Sequence, residues 1–161
     1  MRQRHIPARL IWAPAWSIWL IDFASKQWAV SALSSNPVEI LGELLKLTLV
    51  RNSGAAFSFA TGFAVVFALL SLAVVIGVTY YSTRITSRGW QVTAGLLLGG
   101  VLGNLTDRIF REPGFLSGHV IDFIQIPYWP VFNIADSAIV VAAFLALSLT
   151  LRNIPPISPV R

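Results

Sequence analysis

The chain has 161 residues, enough for one domain. Apolar residues make up 55% and charged residues 12%, about half of the roughly 25% charge that coats a soluble domain. Together with a mean hydropathy of +0.70, this argues against a wholly disordered chain and against a soluble enzyme, and predicts several bilayer spans. There is no Cys, so disulfides, thiolate catalysis and Cys-ligated metals are excluded.

Residues 1–9 are polar and basic, with Arg2, Arg4, His5 and Arg9. An apolar, Trp-rich run begins at Leu10 and reaches spanning length, about 10–30, only by passing through Asp22 and Lys26. A cleaved signal peptide shares the basic start and short apolar core. Asp22 and Lys26 stand where its cleavage region would begin, and no small-x-small site follows, so a retained first helix is expected. Next comes an extracytoplasmic segment, about 31–61, in which Leu45–Leu49 alternates apolar and polar and reads as a strand. The second span, about 62–81, ends on Tyr80 and Tyr81 as interface anchors. A third follows at about 89–107. The segment 108–131 carries Pro113, Gly114, Gly118, Pro127 and Pro130 between Arg111 and Pro130 and reads as loop. The fourth span covers about 132–151, and 153–161, with three prolines, reads as a flexible tail.

The formal net charge of +5 raises the question of nucleic acid, but the charges fall in the wrong places. Arg2, Arg4, Arg9, Arg84, Arg88, Arg152 and Arg161 flank one side, against Lys26, Lys46, Arg51, Arg108 and Arg111 on the other. The excess places both termini in the cytoplasm, with the arginines meeting anionic lipid and not nucleic acid. All the acids (Asp22, Glu39, Glu43, Asp107, Glu112, Asp122 and Asp136) fall on the outer side.

Carboxylates at the edge of hydrocarbon are costly and face a cavity or a partner. Asp22 and Lys26, four apart, read as a local ion pair or as part of a site. Gly95, Gly99 and Gly103 form overlapping G-x-x-x-G steps, a packing face. That helix delivers Asn104, Asp107 and Arg108 to its outer end, either as an interfacial anchor or as a polar site. Asp122 lies within Val120–Ile124, either as an exposed loop acid whose neighbours dip into lipid or as a buried one, where desolvation would raise its pKa. Asn133 and Asp136 are spaced as a capping box opening the last span, and a helix N-terminus favours an ionised carboxylate.

The inventory narrows the chemistry. His119 stands apart from any other outer-side histidine, so neither a His-rich metal site nor a Ser–His–Asp triad in a nucleophile elbow is written here. Paired carboxylates remain, one ionised and one protonated, which is aspartyl-type hydrolysis. Two rivals stand beside it: a small proton-coupled transporter or channel, and a non-catalytic assembly factor binding helices through the glycine face.

Five stretches then carry a resemblance: Asp22–Lys26, Val50–Ser58, Gly99–Arg108, Val120–Ile124 and Pro130–Ser137. In that order around four spans, the chain resembles the bacterial lipoprotein signal peptidases (signal peptidase II) from about Leu10 to Leu151. The resemblance implies a mostly α integral membrane protein of four transmembrane helices, with a small extracytoplasmic β-sheet cradle and a short periplasmic helix or loop. It implies an aspartic endopeptidase of the bacterial inner membrane that cuts diacylglyceryl-modified prolipoproteins just before the lipidated cysteine, near the outer face. By similarity Asp122 and Asp136 are the catalytic pair. Asp22, Asn52, Asn104, Asp107, Arg108 and Asn133 line or brace the site. No metal or cofactor is implied. The expected partners are prolipoproteins, membrane lipids and globomycin-type inhibitors, with the chain acting as a monomer.

Overall fold

The structure, a computed structural model, is described over residues 9–33, 37–54 and 63–157. The basic residues of 1–8, the Ala55–Ser58 part of the second family stretch, the first residue of the predicted second span and residues 158–161 lie outside that range. The elements in chain order are α1 (Arg9–Ala32), β1 (Val38–Glu39), β2 (Lys46–Asn52), α2 (Phe63–Tyr81), α3 (Arg88–Phe110), β3 (Val120–Gln125) and α4 (Ile134–Leu151). The four helices occupy the four segments expected to be spans.

The outward surface of the helices is apolar, the reverse of a soluble bundle. Trp16, Leu20 and Ile21 of α1, Leu69, Leu70 and Ile76 of α2, and Phe144 and Leu147 of α4 are all more than half exposed, as a lipid-facing surface requires. Two helices, α2 and α4, are long and apolar enough to cross a membrane on composition alone. Helices α1 and α3 carry ionic and amide side chains, and they bury them: Asp22, Lys26, Gln91, Asp107 and Arg108 are all in the interior.

Helix α3 is central and packs on α1, α4 and α2. Its small residues make that possible. Gly95 lies against Ile11 and the ring of Pro14, the proline inside α1. A Cβ on Gly99 would stand 2.6 Å from the Ala15 carbonyl oxygen, and one on Gly100 would stand 2.5 Å from that of Ala135. So Gly95 and Gly99 admit α1 on one side of α3 while Gly100 admits α4 on the other. At such close approach, dispersion between backbones replaces the hydrophobic drive that lipid cannot supply.

The sheet is antiparallel, in the order β1–β2–β3. Val50 pairs with Asp122 and Asn52 with Val120, with an irregularity between Leu47 and Val50. Strand β2 corresponds to the alternating segment expected at Leu45–Leu49, moved toward Asn52. Strand β3 is a correction: it lies inside the segment that reads as loop. Its first four residues are all buried, so no alternation appears in the sequence. Ile121 and Phe123, two apart, share one face and pack with Ala29 of α1 and with Leu33 just beyond its end. Phe132 extends the sheet by exchanging backbone hydrogen bonds with Ile124 at 2.8 and 3.0 Å. Outside the four helices, the described residues form strands, turns and bends, so of the expected periplasmic helix or loop it is a loop that they show.

The segment expected as a free tail is pinned where it begins. The Trp90 indole donates to the Ile154 carbonyl at 2.7 Å, and the Thr86 amide donates to Pro156 at 3.0 Å. Backbone carbonyls need no sequence pattern, so this docking leaves no mark in the proline-rich stretch.

The glycine packing makes a direct prediction. A Cβ on Gly103 would stand 2.5 Å from Asp22 Oδ2 and 3.1 Å from Ala135 Cβ, whereas one on Gly77 meets nothing within 4 Å. Gly103→Ala is expected to destabilise by about 1–3 kcal/mol, while Gly77→Ala, in the open face of α2, is neutral or stabilising. Thermal unfolding of both variants in the same detergent checks the contrast.

Candidate active site

At one end of the bundle, α1, α3, α4 and the sheet converge on a buried polar cluster. Helix α1 supplies Asp22 and Lys26, one turn apart. Helix α3 supplies Asn104, Asp107 and Arg108. Strand β2 ends at Asn52, β3 carries Asp122, and α4 opens with Asn133 and Asp136. All eight residues singled out in the sequence fall into this one cluster, and seven of their side chains enter its hydrogen-bonded network; Arg108 joins it through backbone carbonyls. Asp22, Asp107, Arg108, Asp122 and Asn133 are all buried.

The last helix opens on a complete capping box. Asn133 Oδ1 accepts the Asp136 amide at 2.9 Å, and Asp136 Oδ2 accepts the Asn133 amide at 3.2 Å. The Asn133 side-chain amide then donates to Asp122 Oδ1 at 2.7 Å. One residue thus touches the carboxylate of β3 and the carboxylate of α4. Asp122 takes a second donor, Asn52 Nδ2, at 2.9 Å on its other oxygen. Asp136 takes Asn104 Nδ2 at 2.7 Å.

Arg108 holds the strand ends in place. Its Nη1 donates to the Asn52 carbonyl at 3.1 Å and to the Gly118 carbonyl at 2.9 Å. It is also near enough for its charge to act on Asp107, Asp122 and Asp136. Asp107 accepts the Ile121 amide at 3.2 Å, tying α3 to β3, and pairs with Arg111. Asp107 and Arg108 are therefore not an interfacial anchor pair; each turns inward and fixes a strand.

Asp22 is more than half of a local ion pair. Its Oδ2 meets Lys26 Nζ at 2.8 Å, and its Oδ1 accepts the Ala135 amide of α4 at 2.8 Å. Lys26 reaches Asp107 at 2.9 Å and Asn104 Oδ1 at 2.9 Å while only 1% exposed. The sequence leaves Lys26 open between a local partner of Asp22 and a member of a site, and the family resemblance does not name it among the site residues. The signal that it belongs there is its position: a lysine inside a span, one turn from an acid, is costly unless it serves more than one partner.

Beside Asp122 is a cavity of about 310 Å³, walled by Val50, Asn52 and Ser53 of the β2 end and by Pro130 and Val131. Burial pushes the Asp122 carboxyl up to about 6; the Asp136 charge acts in the same direction, and the Asn52 and Asn133 amides oppose it. An acid in that range holds a proton more readily than an ordinary carboxyl, which suits a general acid near neutral pH. The site therefore offers two carboxyls of unequal surroundings, both held by amides, of which Asp122 lines the cavity.

Residues 15–152 match the family model described as signal peptidase (SPase) II. The chain belongs to the signal peptidase II family. A lipoprotein signal peptidase of Mycobacterium avium (strain 104) is 45% identical over 144 residues, which is 89% of this chain and 79% of the relative. One from Leifsonia xyli subsp. xyli (strain CTCB07) is 52% identical over 139 residues, 85% of this chain and 64% of the relative. A solved bacterial membrane enzyme, 26% identical, superposes with a TM-score of 0.80 over 95% of this chain and 93% of its own. Membership makes the chain a peptidase of a bacterial membrane, and the transporter reading gains no support from these relatives.

The neighbours of Asp122 predict opposite shifts in its titration. Asp136→Asn removes a negative charge that favours the protonated form, so the Asp122 midpoint should fall below about 6. Asn52→Ala removes a donor that favours the ionised form, so the midpoint should rise. Carboxyl carbon-13 NMR titration of the two variants reads both directions.

Proposed function

We propose that this chain is an aspartic endopeptidase that removes the signal peptide from diacylglyceryl-modified prolipoproteins, cutting just before the lipidated cysteine. Asp122 and Asp136 are its catalytic pair. The observation that carries the reading is the contact of Asn133 with both carboxylates, Asp122 Oδ1 at 2.7 Å and Asp136 Oδ2 at 3.2 Å, beside the cavity at the β2 end. The names of the relatives supply the substrate class.

The mechanism follows from the surroundings of each carboxyl. Asp136, at the N-terminus of α4 with two N–H donors on it, is the base. It takes a proton from water as the oxygen adds to the scissile carbonyl. Asp122 carries the other proton and gives it to the carbonyl oxygen as the tetrahedral intermediate forms. On collapse Asp136 gives the proton it took from water to the leaving nitrogen, Asp122 takes back the proton from the hydroxyl as the C=O re-forms, and the C–N bond breaks. Charge counting agrees with one proton on the pair. The cluster holds Asp22, Asp107, Asp122 and Asp136 against Lys26, Arg108 and Arg111. Four carboxylates and three cations leave one negative charge, and a single shared proton brings the sum to zero. A low-dielectric interior favours that neutral count.

Around the pair, Asn52, Asn104 and Asn133 hold the carboxylates, while Asp22, Asp107 and Arg108 lock the elements that carry them. The chain is a single membrane-embedded unit crossing the bilayer four times, with both termini in the cytoplasm and the site near the outer face. Lys46 is bound to Glu43 at 2.7 Å and Glu39 at 3.1 Å, and Lys26 and Arg111 are bound to acids. Lys and Arg number five on that side against seven on the other, and this excess is what puts the termini in the cytoplasm. The enzyme works as a monomer in contact with membrane lipids and binds globomycin-type inhibitors at the same site.

The test is a gel-shift assay of purified chain with a diacylglyceryl-modified prolipoprotein. Wild type is expected to release the signal peptide, with no effect of EDTA and with inhibition by globomycin. Asp122→Asn and Asp136→Asn should each lose at least about 100-fold in rate while remaining folded in detergent. Hydrolysis by either variant near the wild-type rate overturns the assignment.

A further inference from the structure

We infer that Lys26 is a positioning residue for the catalytic pair, setting the orientation of the Asn104 amide and through it the hydrogen bond on Asp136. This rests on the proposed role of Asp136.

The ordinary reading of Lys26 is a counter-ion for Asp22 and Asp107, which it meets at 2.8 and 2.9 Å. Those contacts leave one of its three N–H bonds, and that one goes to Asn104 Oδ1 at 2.9 Å. An ammonium donates and never accepts. The Asn104 atom facing it must therefore be the oxygen, and the atom on the other branch, facing Asp136 Oδ1 at 2.7 Å, must be the NH2. A flipped amide would set its NH2 against Lys26 and its oxygen against the Asp136 carboxylate, two repulsive contacts in place of two attractive ones. Asn133 Nδ2 also donates to Asn104 Oδ1, at a longer 3.2 Å and without a charge on the donor. The charge-assisted bond from Lys26 is the stronger constraint. Lys26 itself cannot turn away, since its 1% exposure leaves no water to take its protons.

A counter-ion and a positioning residue respond differently to substitution. Lys26→Met removes both charge and donor; Lys26→Gln removes the charge and keeps a donor for Asn104. Lys26→Met/Asp22→Asn removes one charge of each sign and no longer holds Asn104, so it remains informative where Lys26→Met fails to fold. All are assayed as full-length chain in detergent against the lipid-modified prolipoprotein, and only preparations with an intact thermal transition are compared. Displacement of a reacting group by about 1 Å costs about 100-fold. Lys26→Met is therefore expected to lose about 100-fold in kcat with KM unchanged, the charge-balanced double variant to stay equally slow, and Lys26→Gln to recover part of the loss. Equal loss in Lys26→Gln and Lys26→Met, or a double variant near the wild-type rate, overturns the inference and leaves Lys26 a counter-ion. Should Asp136→Asn itself cleave normally, the dyad fails and not the amide orientation.

Discussion

The hydrogen bond from the Ala135 amide to Asp22 Oδ1, at 2.8 Å, closes the bundle at its buried polar cluster. It joins the middle of the first helix to the first turn of the last. A carboxylate fits there because Gly103 of α3 has no Cβ; the space a methyl would fill belongs to Asp22. A helix N-terminus leaves N–H groups without intrahelical partners, and in lipid each must be met from within the protein. Asp22 meets one, and the capping box of Asn133 and Asp136 meets two more. The start of α4 is thereby fixed in position and direction, and Asp136 with it.

Burying so much charge is tolerable only because each group is shared. Lys26 bridges two carboxylates and an amide. Asp107 accepts from Lys26, Arg111 and the Ile121 backbone. Removing one member of such a set strands a partner in low dielectric, which costs about 3–5 kcal/mol for a broken buried pair. The cost falls on more than one element, because the cluster ties α1 to α3 and α3 to β3. Structural and catalytic roles are therefore hard to separate by single substitutions here, and a donor-retaining change is more informative than a truncation.

Much of this was legible in the sequence because it rests on short periodicities. The glycine steps at 95, 99 and 103 announce a packed face, and the spacing of Asn133 and Asp136 announces a cap. The alternation near Leu45–Leu49 announces a strand. What was not legible depends on contacts between distant parts of the chain. Strand β3 has covered faces on both sides, so Val120–Gln125 shows no alternation and the flanking prolines and glycines suggest loop. Lys26 looks like the local partner of Asp22 because i,i+4 spacing is visible and a reach of 78 residues to Asn104 is not. The docking of Ile154 and Pro156 onto the start of α3 uses backbone carbonyls, which carry no residue-type signature.

The two carboxyls come from elements with different mechanical support, and this bears on how their separation is kept. Asp122 sits mid-strand in β3, held by pairing with Val50 on β2 and by the apolar contacts of Ile121 and Phe123 with α1. Asp136 sits in the first turn of a helix whose outer half is apolar surface. Nothing in the strand alone fixes the distance to the helix. The connection is made by Phe132, which pairs with Ile124, and by Asn133, the next residue, which bonds both carboxylates. Two consecutive residues therefore couple sheet to helix at the point that sets the spacing of the two carboxyls. The connection 126–131 lies on the cavity side of that coupling, through Pro130 and Val131, so a change in it can be absorbed there while the spacing of Asp122 and Asp136 stays fixed.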